Sequence, residues 1–167
     1  HCLSACAGLG LDNLQIELKG GELPAGDGSS LAFVQTLRDA GICEQEAVRE
    51  PFVISEPTRV VEGDCELIAL PPLDPKSESL EVFYELDYGL KNIIGRQAYR
   101  VVVAPESFEA NIAPARTFVL EREAQELRAA GLGLHLTHQD ILVFGENGPI
   151  DNKLRFPDEC VRHKILD

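Results

Sequence analysis

The apolar residues of this chain change their period again and again, and that alternation is what most narrows the folds open to it. Leu14, Ile16 and Leu18 alternate with Gln15, Glu17 and Lys19, which is the period of a half-buried strand. Leu31, Val34 and Leu37, or Phe33, recur at helical spacing instead, behind Ser29 and Ser30 as capping residues and ahead of Gly41 as a stop. Strand patterns return at residues 52–54, 59–61, 65–70, 80–88 and 99–103, with Gly63-Asp64 placed to turn a hairpin. Residues 107–112 and 117–130 read as helices, the longer with Glu121, Glu123 and Glu126 toward its front and Arg128 toward its end, as the helix dipole favours. Residues 140–145 form an apolar strand pattern, followed by an Asn147-Gly148 turn. Pro157, with Asp158 and Glu159 behind it, opens a last helix, and residues 1–7 read as the end of another, stopped by Gly8 and Gly10. Short helices and strands in alternation predict an α+β fold in two layers.

The 167 residues, 44% apolar and 26% charged, suit one domain or two small ones with a buried core. The stretch 43–51 is acidic, has no apolar period and leads into a new series of strands, so a domain boundary is expected near Arg49, dividing the chain into 1–48 and 49–167. A formal charge of −13, from 28 acidic and 15 basic residues, excludes nucleic acid as the expected partner, because phosphates require clustered Lys and Arg. No apolar run reaches the roughly 18 residues of a membrane span, so no integral membrane segment is expected. The five cysteines are odd in number and lack CxxC pairing, which points to a reducing compartment, the cytoplasm. Cys2 and Cys6, at i,i+4 beside His1, suit either zinc or the packing of small apolar side chains. The chain has no methionine and begins at His1, the mark of a segment from a longer protein.

His163 and Asp167 stand four positions apart, a spacing that puts an imidazole and a carboxylate on one helix face. Such a pair on a surface helix is usually solvated, and its other role is as part of a metal site, for which His1 is a third candidate. His135 and His138, at i,i+3, lie among Thr137, Gln139 and Asp140 and read as part of a polar loop or strand start rather than as a second metal site.

Five motifs in order, Ala7-Gly-Leu-Gly-Leu-Asp-Asn13, the loop from Leu23-Pro24 to Asp27-Gly-Ser-Ser30, Ala115-Arg-Thr-Phe118, Leu154-Arg-Phe156 and Arg162-His-Lys-Ile-Leu-Asp167, give the chain a resemblance along its full length to the UDP-3-O-acyl-N-acetylglucosamine deacetylases of lipid A biosynthesis. The resemblance implies two similar two-layer α/β sandwich domains, here the later part of the first and most of the second, the latter carrying an acyl-passage insert. It implies zinc held by His1, His163 and Asp167, with Fe(II) suiting the same ligand set, and one open coordination position. It also implies a hydrolytic deacetylation of a UDP-linked, 3-O-acylated glucosamine by a cytoplasmic monomer. Within it, Thr117 would hydrogen-bond the substrate and stabilise the oxyanion, with a helix N-cap as its plainer role. Phe118 would neighbour the acyl group or simply pack in the core. Lys164 would approach the nucleotide diphosphate or remain solvated, and Tyr88 would stack on uracil.

The chain departs from that family in places that bear on its chemistry. Val119 stands where a glycine is usual, and His135-Leu136 where a glycine pair is, so the apolar passage expected around residues 124–143 would be reshaped. The general base implied by the resemblance is a glutamate immediately before His1, and a further histidine lies beyond Asp167. With neither in the segment, it is expected to be inactive alone. The alternative is a non-catalytic homologue that keeps UDP-sugar or acyl binding, and the residue preceding His1 separates the two.

Overall fold

The computed structural model describes residues 1–167. In chain order the elements are α1 (Cys2–Gly8), α2 (Leu31–Ala40), β1 (Thr58–Glu62), β2 (Cys65–Ala69), β3 (Leu80–Asp87), β4 (Arg96–Val103), α3 (Pro105–Asn111), β5 (Phe118–Leu120), α4 (Glu121–Ala129), β6 (Leu142–Gly145), β7 (Gly148–Pro149) and α5 (Glu159–Leu166). The fold is α+β, with three small sheets ordered β1-β2, β3-β4 and β5-β6-β7. The chain forms two compact units, one of His1–Ile42 with Glu81–Asp167 and one of Cys43–Leu80. None of the helices is long and apolar enough to cross a membrane.

The Cys43–Leu80 unit is built on the expected hairpin. Its antiparallel register runs from Thr58 opposite Ala69 to Glu62 opposite Cys65, leaving Gly63-Asp64 as the turn. The strand expected at 52–54 does not form, and Phe52 is 94% exposed. A run of β-formers becomes a strand only where a neighbour accepts its ladder hydrogen bonds, and this one has none.

The larger unit holds two apolar clusters. In one, Ala5 of α1 and Leu9 at its exit, Val34 of α2, Val101 of β4, Phe108, Ile112 and Ala113 of α3 and its exit, and Leu166 of α5 are buried together. In the other, Leu86 and Ile94 meet Leu142 and Phe144 of β6 and Cys160 and Val161 of α5. Helix α5 therefore gives its first turn to one cluster and its last to the other, and His163, between them, is only 2% exposed. Burying each of these larger apolar side chains stabilises the fold by about 1.5–3 kcal/mol, which holds α5 more firmly than the intrinsic propensity of eight residues could.

Three further expectations need correction. Residues 14–18 are not a strand: Leu14 is 50% and Leu18 is 50% exposed, and no ladder partner lies alongside. Residues 117–130 are not one helix, because Phe118-Val119-Leu120 pair in parallel with Leu142-Val143-Phe144 before α4 begins at Glu121. Aromatic and β-branched side chains at the head of that segment pack better on a pleated sheet than in a helical turn. The turn expected at Asn147-Gly148 lies one residue earlier, since Gly145 pairs with Gly148.

Candidate metal centre

His163 is fixed by both of its ring nitrogens. Nδ1 lies 3.0 Å from the carbonyl oxygen of Ala115, and because a carbonyl can only accept, Nδ1 carries the proton. Burial holds the pKa of His163 below the usual histidine value, against the opposing pull of Asp167 and the Ala115 carbonyl, so the ring is neutral near pH 7. The lone pair on Nε2 then faces Asp167 Oδ1 at 3.3 Å. Two acceptors at that distance repel unless a cation or a proton comes between them.

His1 reaches the same place from the other end of the chain. It precedes α1, and its carbonyl accepts from Ala5 N at 2.9 Å and from the Ser30 hydroxyl at 2.8 Å. Its Nε2 lies 3.0 Å from Thr117 Oγ1, which is also 3.1 Å from His163 Nε2 and 3.2 Å from the Gly28 carbonyl. One hydroxyl proton cannot serve both His163 Nε2 and Gly28 O, so an electron-rich group is again left wanting a positive partner. The ligating atoms of His1, His163 and Asp167 all lie within 4.8 Å of one another. Two nitrogens and one carboxylate oxygen are the donor set that zinc or Fe(II) accepts, and the 4.8 Å spread is close to the roughly 4.4 Å that two bonds of about 2.0–2.2 Å can span. The residues present fit a divalent metal.

Gly28 is what allows Thr117 to sit there. Thr117 N donates to Gly28 O at 2.7 Å, while a Cβ on Gly28 would come within 2.6 Å of the Asp140 carbonyl, at a φ of +78° that favours glycine. The other expected residues gather on one side. Phe118 packs edge-on against His163 with ring centroids 6.4 Å apart, and Tyr88 against Phe118 at 6.1 Å. Lys164 Nζ lies 5.7 Å from the centre of the Phe118 ring and 2.9 Å from Asp167 Oδ2. Burial works against the charge of Lys164, but the hydrogen bond and charge of Asp167 outweigh it and raise its pKa, so it remains a cation. His135 is exposed and His138 faces Asp151 at 3.4 Å, both apart from this centre. Cys6 is 8% exposed and Cys2 is partly buried.

Sequence reasoning passed over the group beneath the site. Arg116 is 5% and Glu159 0% exposed, and they form a two-pronged ion pair, Nε to Oε1 at 2.8 Å and Nη2 to Oε2 at 3.1 Å. The available signal was Glu159 four residues before His163 on one helix, with Arg116 adjacent to Thr117.

An α+β chain that brings two imidazoles and a carboxylate from its two ends to one threonine has the donor set of a mononuclear metal site. A family model described as UDP-3-O-acyl N-acetylglycosamine deacetylase (LpxC) matches residues 1–167, and the chain belongs to that family. Among curated relatives, the UDP-3-O-acyl-N-acetylglucosamine deacetylase of Oleidesulfovibrio alaskensis is 39% identical over 168 residues, covering 100% of this chain and 53% of that protein. The enzyme of the same name from Anaeromyxobacter sp. is 36% identical over 168 residues, covering 100% of this chain and 53% of that protein. That from Chlamydia pneumoniae is 40% identical over 168 residues, covering 100% and 58% respectively. The chain spans about half the length of the curated relatives it matches.

Proposed function

We propose that the full-length protein is a metal-dependent amidohydrolase that removes acetate from a UDP-linked, 3-O-acylated N-acetylglucosamine, acting as a cytoplasmic monomer in lipid A biosynthesis. His1, His163 and Asp167 would hold zinc, or Fe(II), and the ion would supply the Lewis acidity that amide hydrolysis needs. The convergence of those three groups around Thr117 carries the reading. Thr117, with its hydroxyl at the centre of the cluster, is the donor placed to steady charge on the acetyl oxygen as the amide carbon becomes tetrahedral. Lys164, cationic and partly exposed, is the residue suited to the diphosphate. Tyr88 and Phe118 offer aromatic faces beside it for the uracil and the start of the acyl chain.

For the acyl chain itself we propose the segment between α4 and β6. Leu127 of α4 and Leu132 and Leu134 after it are 47%, 58% and 68% exposed, and a concavity of about 110 Å³ is lined by Glu121, Ala124, Gln125 and Arg128 of α4, His138, and Val143 of β6. Each methylene covered by such side chains contributes about 0.8 kcal/mol. In the domain division that accompanies this reading, residues 1–48 close the first domain and 49–167 belong to the second.

The test is made on the full-length protein, by metal analysis together with release of acetate from the UDP-linked substrate. The expected result is one divalent ion per chain and turnover, both lost in His163→Ala. Purified protein that binds no ion stoichiometrically, or that binds one and releases no acetate, would refute the assignment.

A further inference from the structure

Resting on the metal-site reading above, we propose that the buried Arg116–Glu159 pair is a positioning device that sets the orientation of His163 and Thr117. Glu159 lies in the first turn of α5, one turn ahead of His163. Its carboxylate collects four donors. The guanidinium of Arg116 supplies two, the backbone N–H of Arg116 reaches Oε1 at 3.1 Å, and the backbone N–H of Arg155 reaches Oε2 at 2.6 Å. Two further guanidinium N–H groups run to Asn152 Oδ1 at 2.9 Å and Lys153 O at 2.6 Å. One carboxylate thus ties three segments together: the helix bearing His163 and Asp167, the strand entry 115–117, and the loop 152–155.

The consequence for the site follows from what flanks Arg116. Ala115 provides the carbonyl that holds the Nδ1 proton of His163, and Thr117 provides the hydroxyl that faces both Nε2 atoms. A shift of residues 115–117 relative to α5 would therefore turn the imidazole and move the hydroxyl at once. A surface ion pair would not serve, because water competes for it, whereas this pair is desolvated and its two-pronged geometry fixes an angle as well as a distance. Outer contacts of this kind tune a metal through the orientation of its ligands, typically by ten- to a hundredfold in affinity. The carboxylate itself touches neither the metal ligands' nitrogens nor Thr117 Oγ1, so Glu159 acts through the backbone it holds.

In the full-length protein, Glu159→Gln should raise the zinc dissociation constant about tenfold or more, measured by competition with a chromophoric chelator. It should also alter the visible absorption of the cobalt(II)-substituted protein and shift the hydrogen-bonded Nδ1–H resonance of His163 in the metal-free protein. Arg116→Lys should do the same, since an ammonium keeps the charge but loses the fork. If Glu159→Gln fails to fold, Asn152→Ala, which frees one arm of the guanidinium and also releases the His138 carbonyl and Lys153 N, should give a smaller change in the same direction. A fall in melting temperature with the zinc constant within twofold of wild type, and with unchanged cobalt and Nδ1–H spectra, would leave the pair a fold-stabilising feature only and overturn the proposal. Should the wild type bind no metal at all, the metal reading fails, and the Nδ1–H resonance alone still decides whether Glu159 orients His163.

Discussion

Thr117 places one small hydroxyl within hydrogen-bond reach of both imidazoles, and its backbone is fixed by donating to Gly28 O at 2.7 Å and accepting from Leu142 N at 2.9 Å. If the full-length protein has the proposed activity, Thr117→Ala should lower kcat by about 10²–10³-fold with little change in KM, the signature of a donor that matters most in the transition state. Lys164→Ala should instead raise KM for the UDP-linked substrate. If steady-state assays put both variants within about twofold of wild type in kcat/KM, the two assignments are withdrawn. The cysteines offer a test independent of turnover. Cys160 is 1% exposed and burial pushes its thiol up to about 12, whereas Cys43 and Cys65 are exposed. Iodoacetamide on the native chain should label Cys43 and Cys65 and spare Cys160 until denaturant is added; early labelling of Cys160 would contradict the burial of α5. His163 and Asp167 were legible as candidate ligands because helical spacing and a resemblance both pointed to them, and His1 through the resemblance. Arg116 and Glu159 were not, because a glutamate in a first turn is already explained by the helix dipole, and only the fold reveals that it is buried and paired.

Helix α1 has seven residues, too few to persist on propensity, so its packing must hold His1 in place. The contact that decides this is Gly8 against Phe108, where a Cβ would come within 2.2 Å of the ring, and Phe108 is only 5% exposed, with nowhere to retreat. Gly8→Ala should therefore destabilise the protein, by about 1–3 kcal/mol as for overpacked cores, and weaken metal binding by displacing His1. Thermal denaturation and chelator competition on the full-length variant read the two effects separately. An unchanged melting temperature would show that α1 is free to shift. Gly8 was read from sequence as a helix stop, and the structure gives it a second reason to be small. The strand expected at residues 14–18 failed for the converse reason. Its pattern states which faces would be apolar, but pairing is a relation to another segment, and no single stretch of sequence contains it. The split of residues 117–130 into β5 and α4 is the same lesson, since the parallel partner Leu142–Gly145 lies beyond the helix.

At the scale of the whole molecule, a chain with 28 acidic residues against 15 basic ones gains much of its acid sensitivity from carboxylates with partners. Burial works against ionisation of Asp27, but the Ser29 hydroxyl at 2.7 Å and the Arg155 guanidinium at 2.6 Å prevail and hold its pKa below the usual carboxylate range. Because the folded value is depressed, the stability it confers is present above the unfolded value of about 3.9 and is lost as pH falls through the folded value. Asp27→Asn should flatten that part of a stability–pH curve, and a curve superimposable on wild type below pH 4 would remove Asp27 from the account. The α+β class and most elements were legible from period alone, but the meeting of the chain's two ends was not, since local patterns carry no long-range distance. That meeting has a thermodynamic consequence. A metal held by His1 and by His163 and Asp167 bridges α1 and α5 only in the folded state, so binding is linked to folding. At a free metal concentration one hundred times the dissociation constant, linkage adds about 2.7 kcal/mol. Stripping the full-length protein with a chelator should lower its melting temperature, and zinc should restore it in His135→Ala as fully as in wild type but not in His163→Ala. Equal recovery in all three would place the metal elsewhere and detach the cluster from the stability of the fold.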